Sequence, residues 1–328
     1  MADDLIFVTG GTGFLGQHLV PALHAAGYRV RLFVHETSPI KWLDHRTVQL
    51  CHGNVNDPQS IAEGIKGCRY LVHAAGHFRF WGPHEVFDQV NLEGTKNVVQ
   101  AAIEHGIERM IHISTIAVVG DPRPGELINE EVVCRPQDPY QHSKLTAEKY
   151  VQEMARSQKV PALILRPGAF YGPGSTYGFN RLFIGEPMIG WRVRVEGGRR
   201  LTFPVFVPDV AQIVLRTLNR GRLGEVYNIS DQSITHNALN EIVSETLNIS
   251  HWRFDAPNSV MIALAALQEG VAKITGREPF YPLNLRHYVF NDWNVSSAKA
   301  RLELGFEPTP IEEGIHRTID WYLEQRGK

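Results

Sequence analysis

The chain has 328 residues, 43% of them hydrophobic and 21% charged, enough for one large domain or two modest ones with packed cores. A formal net charge of −2 gives no footing for nucleic acid or an anionic membrane, and no apolar run approaches the ~20 residues that span a bilayer. Three cysteines, Cys51, Cys68 and Cys134, match no disulfide or metal spacing and suit a reducing cytoplasm.

The acidic start MADDLIFV leads directly into a strand and is not expected to be a signal or transit peptide. LIFVTG is the first predicted strand. A glycine-rich turn follows, and then the helical pattern FLGQHLVPALHAAG, which stops at Gly27 and carries Pro21 inside it, where a kink or a stability cost is expected. YRVRLFVH, VQLCHGNV and RYLVHAAG are the next strands. The helix NLEGTKNVVQAAIEHG stops at Gly106, and ERMIHIST, PALILRPG and GEVYNIS complete a set of seven strands. Strands alternating with helices imply a doubly wound parallel sheet, a Rossmann-type α/β fold. The alternation weakens after residue 168. The expected organisation is therefore a larger core at 1–168, with 203–230 returning to it, and a smaller cap at 169–202 and 231–328. The cap helix SVMIALAALQEGVAKI is too short to span a membrane and is expected to line a pocket or, less readily, to touch a lipid surface.

Two glycine triplets overlap after the first strand, Gly11-x-Gly13-x-x-Gly16 and Gly10-x-x-Gly13-x-x-Gly16. Either lets the backbone approach a pyrophosphate at a helix N-terminus, and spacing alone does not choose between them. His73 and His77 lie four apart with no Cys or carboxylate cluster, so structural histidines and no metal are expected. In DPYQHSKLTAEKYVQEMARS, Asp138 suits a helix cap and Pro139 the first helical position. Tyr140 and Lys144 then share one helix face, where an ammonium lowers the pKa of a neighbouring phenol. Ser114 and Thr115 end the buried strand MIHIST at the edge where open α/β sheets bind ligands.

These motifs together resemble the extended short-chain dehydrogenase/reductases, over nearly the whole chain. Gly10, Gly13 and Gly16 match that family's glycine motif, which resolves the ambiguity toward this triplet. HAAG at His73–Gly76, NLEGTKN, STIAVVG, YQHSK, LRPGAFYGPG, FVPDVAQ around Asp209 and ELGFEPTPIEEGIHRTIDWY match further family motifs in order. The resemblance implies catalysis by Thr115, Tyr140 and Lys144. It implies that NAD(P)(H) is held by Gly10, Gly13, Phe14, Leu15, Gly16, His35, Asn54, Val55, Ala74, Ala75, Gly76, Asn91, Ser114, Tyr140, Lys144 and Pro167. Asn54 stands where family members often carry Asp, so adenine recognition is expected from this amide or from Asp57. The catalytic hydroxyl is Thr rather than the commoner Ser.

Three functions stay open: a ketone reductase or alcohol dehydrogenase resembling the dihydroflavonol reductase and 3β-hydroxysteroid dehydrogenase branch, a nucleotide-sugar epimerase or dehydratase, and a non-catalytic dinucleotide sensor. The intact Tyr–Lys pair argues against the sensor. Phe78, Phe80 and Trp81 follow the fourth strand, where substrate enters, and favour a mostly apolar, ring-containing ketone or alcohol held with Thr115 and Tyr140. Arg199 and Arg200 keep the nucleotide-sugar reading open. Val34 stands where NAD enzymes place an acid, and its neighbour His35 stands where NADP-using reductases of the resembled branch often carry Arg, a slight lean to NADP(H). The family's habit implies a homodimer through segments near 92–105 and 140–156.

Overall fold

The computed structural model describes residues 4–38, 40, 42–43, 47–252 and 254–326. All seven predicted strands form, as β1 (Leu5–Thr9), β2 (Arg29–Val34), β3 (Val48–His52), β4 (Tyr70–His73), β5 (Arg109–Ile113), β6 (Ala162–Pro167) and β7 (Val226–Ile229). They join in one sheet in the order β7-β6-β5-β4-β1-β2-β3, with every pairing parallel. The order reverses between β1 and β4. Beyond their carboxyl ends lies the crevice where such sheets bind ligands.

The two-residue period of β1 sorts its side chains between two cores. Ile6 and Val8 face one that includes Leu19, Val20 and Leu23 of helix Gly16–Ala25 and Val210 and Val214 of helix Val207–Thr217. Leu5 and Phe7 face the other, built with Ile61, Val98 and Val151 from helices Pro58–Ile65, Gly94–Glu104 and Pro139–Arg156. Both sheet faces are therefore covered, which explains why the central strands read as unbroken apolar runs. Helix Gly16–Ala25 runs through Pro21, whose ring is exposed, so the missing N–H falls on the solvent side. Gly27 and Gly106 stop their helices with φ of 86° and 65°.

The remaining chain forms short ladders and helices over one end of the sheet. Ala169–Tyr171 pairs with Pro204–Phe206, Leu201–Thr202 with Ile234–Thr235, and Val193–Val195 with Phe254–Ala256. Helices His236–Leu247 and Ile311–Arg326 share a third core through Leu239, Val243, Ile315 and Ile319. Asp209 accepts hydrogen bonds from the Thr309 backbone N–H (2.7 Å) and hydroxyl (2.9 Å), tying the C-terminal segment to helix Val207–Thr217. Among the described residues no helix is long and apolar enough to cross a membrane. The large exposed apolar side chains include Val260, Leu267, Val271 and Ile274 on helix Asn258–Thr275, and none lies in 92–105 or 140–156.

Candidate active site

A crevice of about 790 Å³ opens at the carboxyl ends of the strands. Gly10 and Gly13 line it, whereas Gly11 and Gly16 do not. Gly10 has φ of 72°, and a Cβ there would meet the Ala74 backbone at 2.4 Å. At Gly11 a Cβ would strike Leu32, and at Gly16 it would strike the Gly11 carbonyl at 2.0 Å. Gly10 and Gly13 thus shape the crevice wall. Gly11 and Gly16 let the turn and helix pack. Helix Gly16–Ala25 has no side-chain cap and no acid in its first turn. Helices Pro58–Ile65, Pro139–Arg156 and His236–Leu247 are capped instead by Asp57, Asp138 and Thr235. A bare, positive helix start beside a glycine-shaped wall fits a pyrophosphate.

Phe14, Leu15, His35, Asn54, Val55, Ala74, Ala75, Gly76, Ser114, Thr115, Tyr140, Lys144 and Pro167 all line this crevice. Asp57 does not: its carboxylate accepts from Gln59 N–H (3.1 Å) as a helix cap, leaving Asn54 and Asn56 as the polar side chains at that wall. Asn54 Oδ1 in turn accepts from Asn56 N–H at 2.9 Å. Thr37 and Ser38, beside His35, also face the crevice and carry no sequence signal beyond their place after β2. His35 Nδ1 lies 2.9 Å from the Thr37 hydroxyl.

Asn91 is corrected in a different way. It does not line the crevice but sits fully buried in a π-helical turn, Asp88–Glu93. Its Oδ1 accepts from His77 N–H (2.7 Å), and its Nδ2 donates to the His77 carbonyl (3.1 Å) and to the Ser143 hydroxyl (2.9 Å). One amide thus ties the loop after β4 to the helix bearing Tyr140. His73 is likewise structural. The Thr95 hydroxyl donates to the Asn91 carbonyl (2.6 Å), so His73 Nε2–H donates to Thr95 (2.9 Å) and Thr9 donates to Nδ1 (2.7 Å). Burial pushes the His73 imidazole down to about 3, with Lys144 adding to the fall, so it stays neutral.

The hydroxyl pair at the end of β5 divides its work. Ser114 donates to Glu148 Oε2 at 2.6 Å, and Glu148 is held by Arg166 in a buried ion pair. Thr115 Oγ1 accepts from Ala117 N–H at 3.1 Å, which leaves its proton for a group in the crevice. Lys144 Nζ donates to the Ile113 carbonyl at 2.7 Å. Burial lowers the Lys144 ammonium to about 8, opposed by the charge of Glu148 one turn along the helix. Burial likewise raises the Tyr140 phenol well above its ordinary range, while the Thr115 hydroxyl pulls it down and the Asp138 charge pushes it up. The dominant influence on Tyr140 is thus desolvation and not Lys144, contrary to the expectation from spacing.

The three aromatics after β4 part company. Phe78 lines the crevice with its ring 4.8 Å from that of Tyr140, edge-on. Phe80 touches the crevice but is largely buried against Tyr177 and Tyr288, at ring distances of 5.7 and 5.1 Å. Trp81 lines no part of it, which corrects the expectation that it contacts substrate. Tyr177 and Tyr288, 37 and 148 residues beyond Tyr140, complete the aromatic wall. Arg199 and Arg200 are also outside the crevice. Arg200 is engaged by Asp292 (3.0 Å) and Glu196 (3.2 Å).

A glycine-shaped dinucleotide wall leading to a Thr, Tyr and Lys cluster defines an NAD(P)-dependent short-chain dehydrogenase/reductase acting between CH–OH and C=O. The chain belongs to the NAD dependent epimerase/dehydratase family, whose description matches residues 6–230. It is 31% identical to the 4-hydroxy-2-methyl-3-oxo-4-farnesyl-3,4-dihydroquinoline-1-oxide ketoreductase of Stigmatella aurantiaca, over 92% of this chain and 91% of that protein. Sterol demethylase protein B of Methylococcus capsulatus is 28% identical, over 97% and 98%. Among solved structures, that of gox2253 has a TM-score of 0.84 at 29% identity, covering 98% of both chains. The UDP-glucose 4-epimerase of Thermotoga maritima, at 22% identity, a TM-score of 0.81 and 98% and 99% coverage, shares the fold.

Proposed function

We propose that this protein interconverts a ketone and a secondary alcohol on a mostly apolar, ring-containing substrate, using NAD(P)(H). The observation that carries this reading is the pairing of Tyr140 with Phe78 at 4.8 Å, which sets the acid/base phenol against an apolar wall. The dinucleotide, when bound, supplies or accepts the hydride at the carbonyl carbon. Tyr140 gives its proton to the carbonyl oxygen during reduction and takes it back during oxidation. Thr115 donates a hydrogen bond to the same oxygen, and Lys144, four residues along the helix, meets the nicotinamide ribose. The phenol is protonated at working pH, the form that reduction consumes, and burial moves its pKa further upward.

Relatives named as sterol and farnesyl-quinoline enzymes support an apolar substrate. The engagement of Arg200 by Asp292 and Glu196 argues against a diphosphate clamp and so against the nucleotide-sugar reading. His35, Thr37 and Ser38 at the crevice edge, with Glu36 outside it, support the lean to NADP(H). Residues 1–168 with 203–230 serve as the cofactor-binding unit in this proposal, and 169–202 with 231–328 as the substrate cap.

A turnover screen of aromatic ketones, steroids and nucleotide sugars, each with NADH and NADPH, tests the reading. Reduction of ring ketones with release of oxidised cofactor is expected. Turnover of nucleotide sugars alone would overturn it, and tighter binding of NADH than NADPH would overturn the cofactor lean.

A further inference from the structure

A second cavity, of about 100 Å³, lies inside the cap. Leu182, Phe183 and Val289 line both it and the catalytic crevice, so the two compartments share a wall of three apolar side chains. Its own lining is apolar, including Met261, Ile262 and Ala265 from the inner face of helix Asn258–Thr275. At about 30 Å³ for a water-sized group, it has room for roughly three or four methylenes.

Most of the polar side chains around this cavity are paired. Glu186 accepts from the Tyr281 phenol at 2.7 Å and pairs with Arg181 at 3.4 Å, and Trp191 Nε1 donates to the same phenol. Trp252 Nε1 donates to Asn237 at 2.7 Å. Glu186 Oε1 makes no hydrogen bond beyond its ion pair with Arg181, and His236, 8% exposed and lining the cavity, has neither hydrogen bond nor ion pair at its buried Nε2. Burial pushes its imidazole down to about 4, so the ring is neutral and can donate or accept. A buried polar atom left unpaired destabilises the fold, and a ligand atom that pairs with it would recover that loss.

The geometry points to this cavity as a subsite for the distal chain of the substrate: a short apolar tail running past Leu182, Phe183 and Val289, ending in a hydrogen-bonding atom at His236 Nε2. The inference rests on the reductase reading above and narrows its substrate to an oxo or hydroxy compound with a ring-bearing head and a short flexible tail. Apolar lining selects the chain, and the single unpaired nitrogen selects a terminal oxygen over a methyl group.

Phenyl alkyl ketones with tails of one to eight carbons, with and without a terminal hydroxyl, test it. In the wild type kcat/KM should rise about threefold to fourfold per methylene until the cavity is full, with the terminal hydroxyl giving a further gain at one length. Ala265→Phe, which fills the cavity, should abolish the rise while leaving acetophenone turnover unchanged. His236→Leu should remove only the hydroxyl preference. A chain-length dependence that is absent in the wild type, or unaltered by Ala265→Phe, overturns the proposal.

A binding experiment separates this outcome from failure of the reductase reading. Trp191 and Trp252 line the cavity, so 1-propanol should change tryptophan fluorescence in the wild type and not in Ala265→Phe. If no ketone is turned over yet this difference appears, the cavity stands and the reaction assigned to the crevice falls. If ketones are turned over and the fluorescence responses are identical, the cavity assignment falls alone.

Discussion

The phenol of Tyr288 donates a 2.7 Å hydrogen bond to Asp138 Oδ2, while Oδ1 of the same carboxylate accepts from Gln141 N–H at 2.8 Å and caps the helix of Tyr140. One carboxylate thus joins the segment over the crevice to the start of the catalytic helix. Tyr288→Phe and Asp138→Ala should each destabilise the protein, by about 1–3 kcal/mol. Because they break one shared bond, the double variant should cost at least roughly 1 kcal/mol less than the sum. Denaturant unfolding of the four proteins measures this, and strict additivity would show that the bond carries nothing.

In the proposed reaction Tyr140→Phe removes the proton that reduction needs while keeping the ring against Phe78. Turnover should fall by roughly 10²–10⁴-fold with cofactor affinity nearly unchanged. Steady-state rates beside a cofactor titration separate the two effects, and activity within a few-fold of wild type would remove Tyr140 from its assigned role.

Lys144 makes stability depend on pH in a defined direction. Its ammonium is lowered from 10.5 to about 8 on folding, so between these values the unfolded chain binds more protons and stability rises with pH. The charged form therefore costs about 3 kcal/mol below pH 8. Lys144→Met should be the more stable protein at pH 7 and lose that advantage as pH approaches 10.5, while turning over far more slowly. Unfolding free energies at pH 7, 8.5 and 10 check the sign. An equal difference between the two proteins at all three would contradict it.

The glycines of the first turn should separate by role. Gly10→Ala forces a Cβ to 2.4 Å from the Ala74 backbone at a positive φ, so it should damage folding itself. Gly13→Ala meets only the Gly10 carbonyl, at 3.2 Å. It should fold with at most about 1 kcal/mol lost, yet bind the dinucleotide at least roughly tenfold more weakly. Thermal melting with cofactor titration tests both, and undiminished binding by Gly13→Ala would remove this residue from the cofactor wall.

Phe78→Ala should raise KM for a ring ketone several-fold, since it strips the apolar surface beside Tyr140. Trp81→Ala should leave KM within about twofold, because Trp81 lies outside the crevice. The reverse ranking would mean that substrate enters from a different side.

The sequence by itself determined the seven strands, their parallel winding, the glycine turn and the Tyr140–Lys144 face, because each rests on local periodicity, spacing or capping. Asp138 and Pro139 start the catalytic helix by chemistry confined to a few residues, and Gly27 and Gly106 end helices in the same way. The tertiary structure alone decided what depends on distant neighbours. Ser114 and Thr115 are adjacent and alike, yet Glu148, held by Arg166, accepts from the hydroxyl of Ser114 and leaves Thr115 to the crevice. Phe78, Phe80 and Trp81 read as one aromatic cluster. They diverge because an irregular loop has no period to fix side-chain direction, and packing by Tyr177 and Tyr288 sets it instead. Asn91 looks like a cofactor ligand until its amide is seen spent on His77 and Ser143. The cap cavity and its unpaired His236 arise where helix Asn258–Thr275 meets segments from 182 to 195 and 236 to 240. No local pattern encodes a void between elements so far apart in the chain.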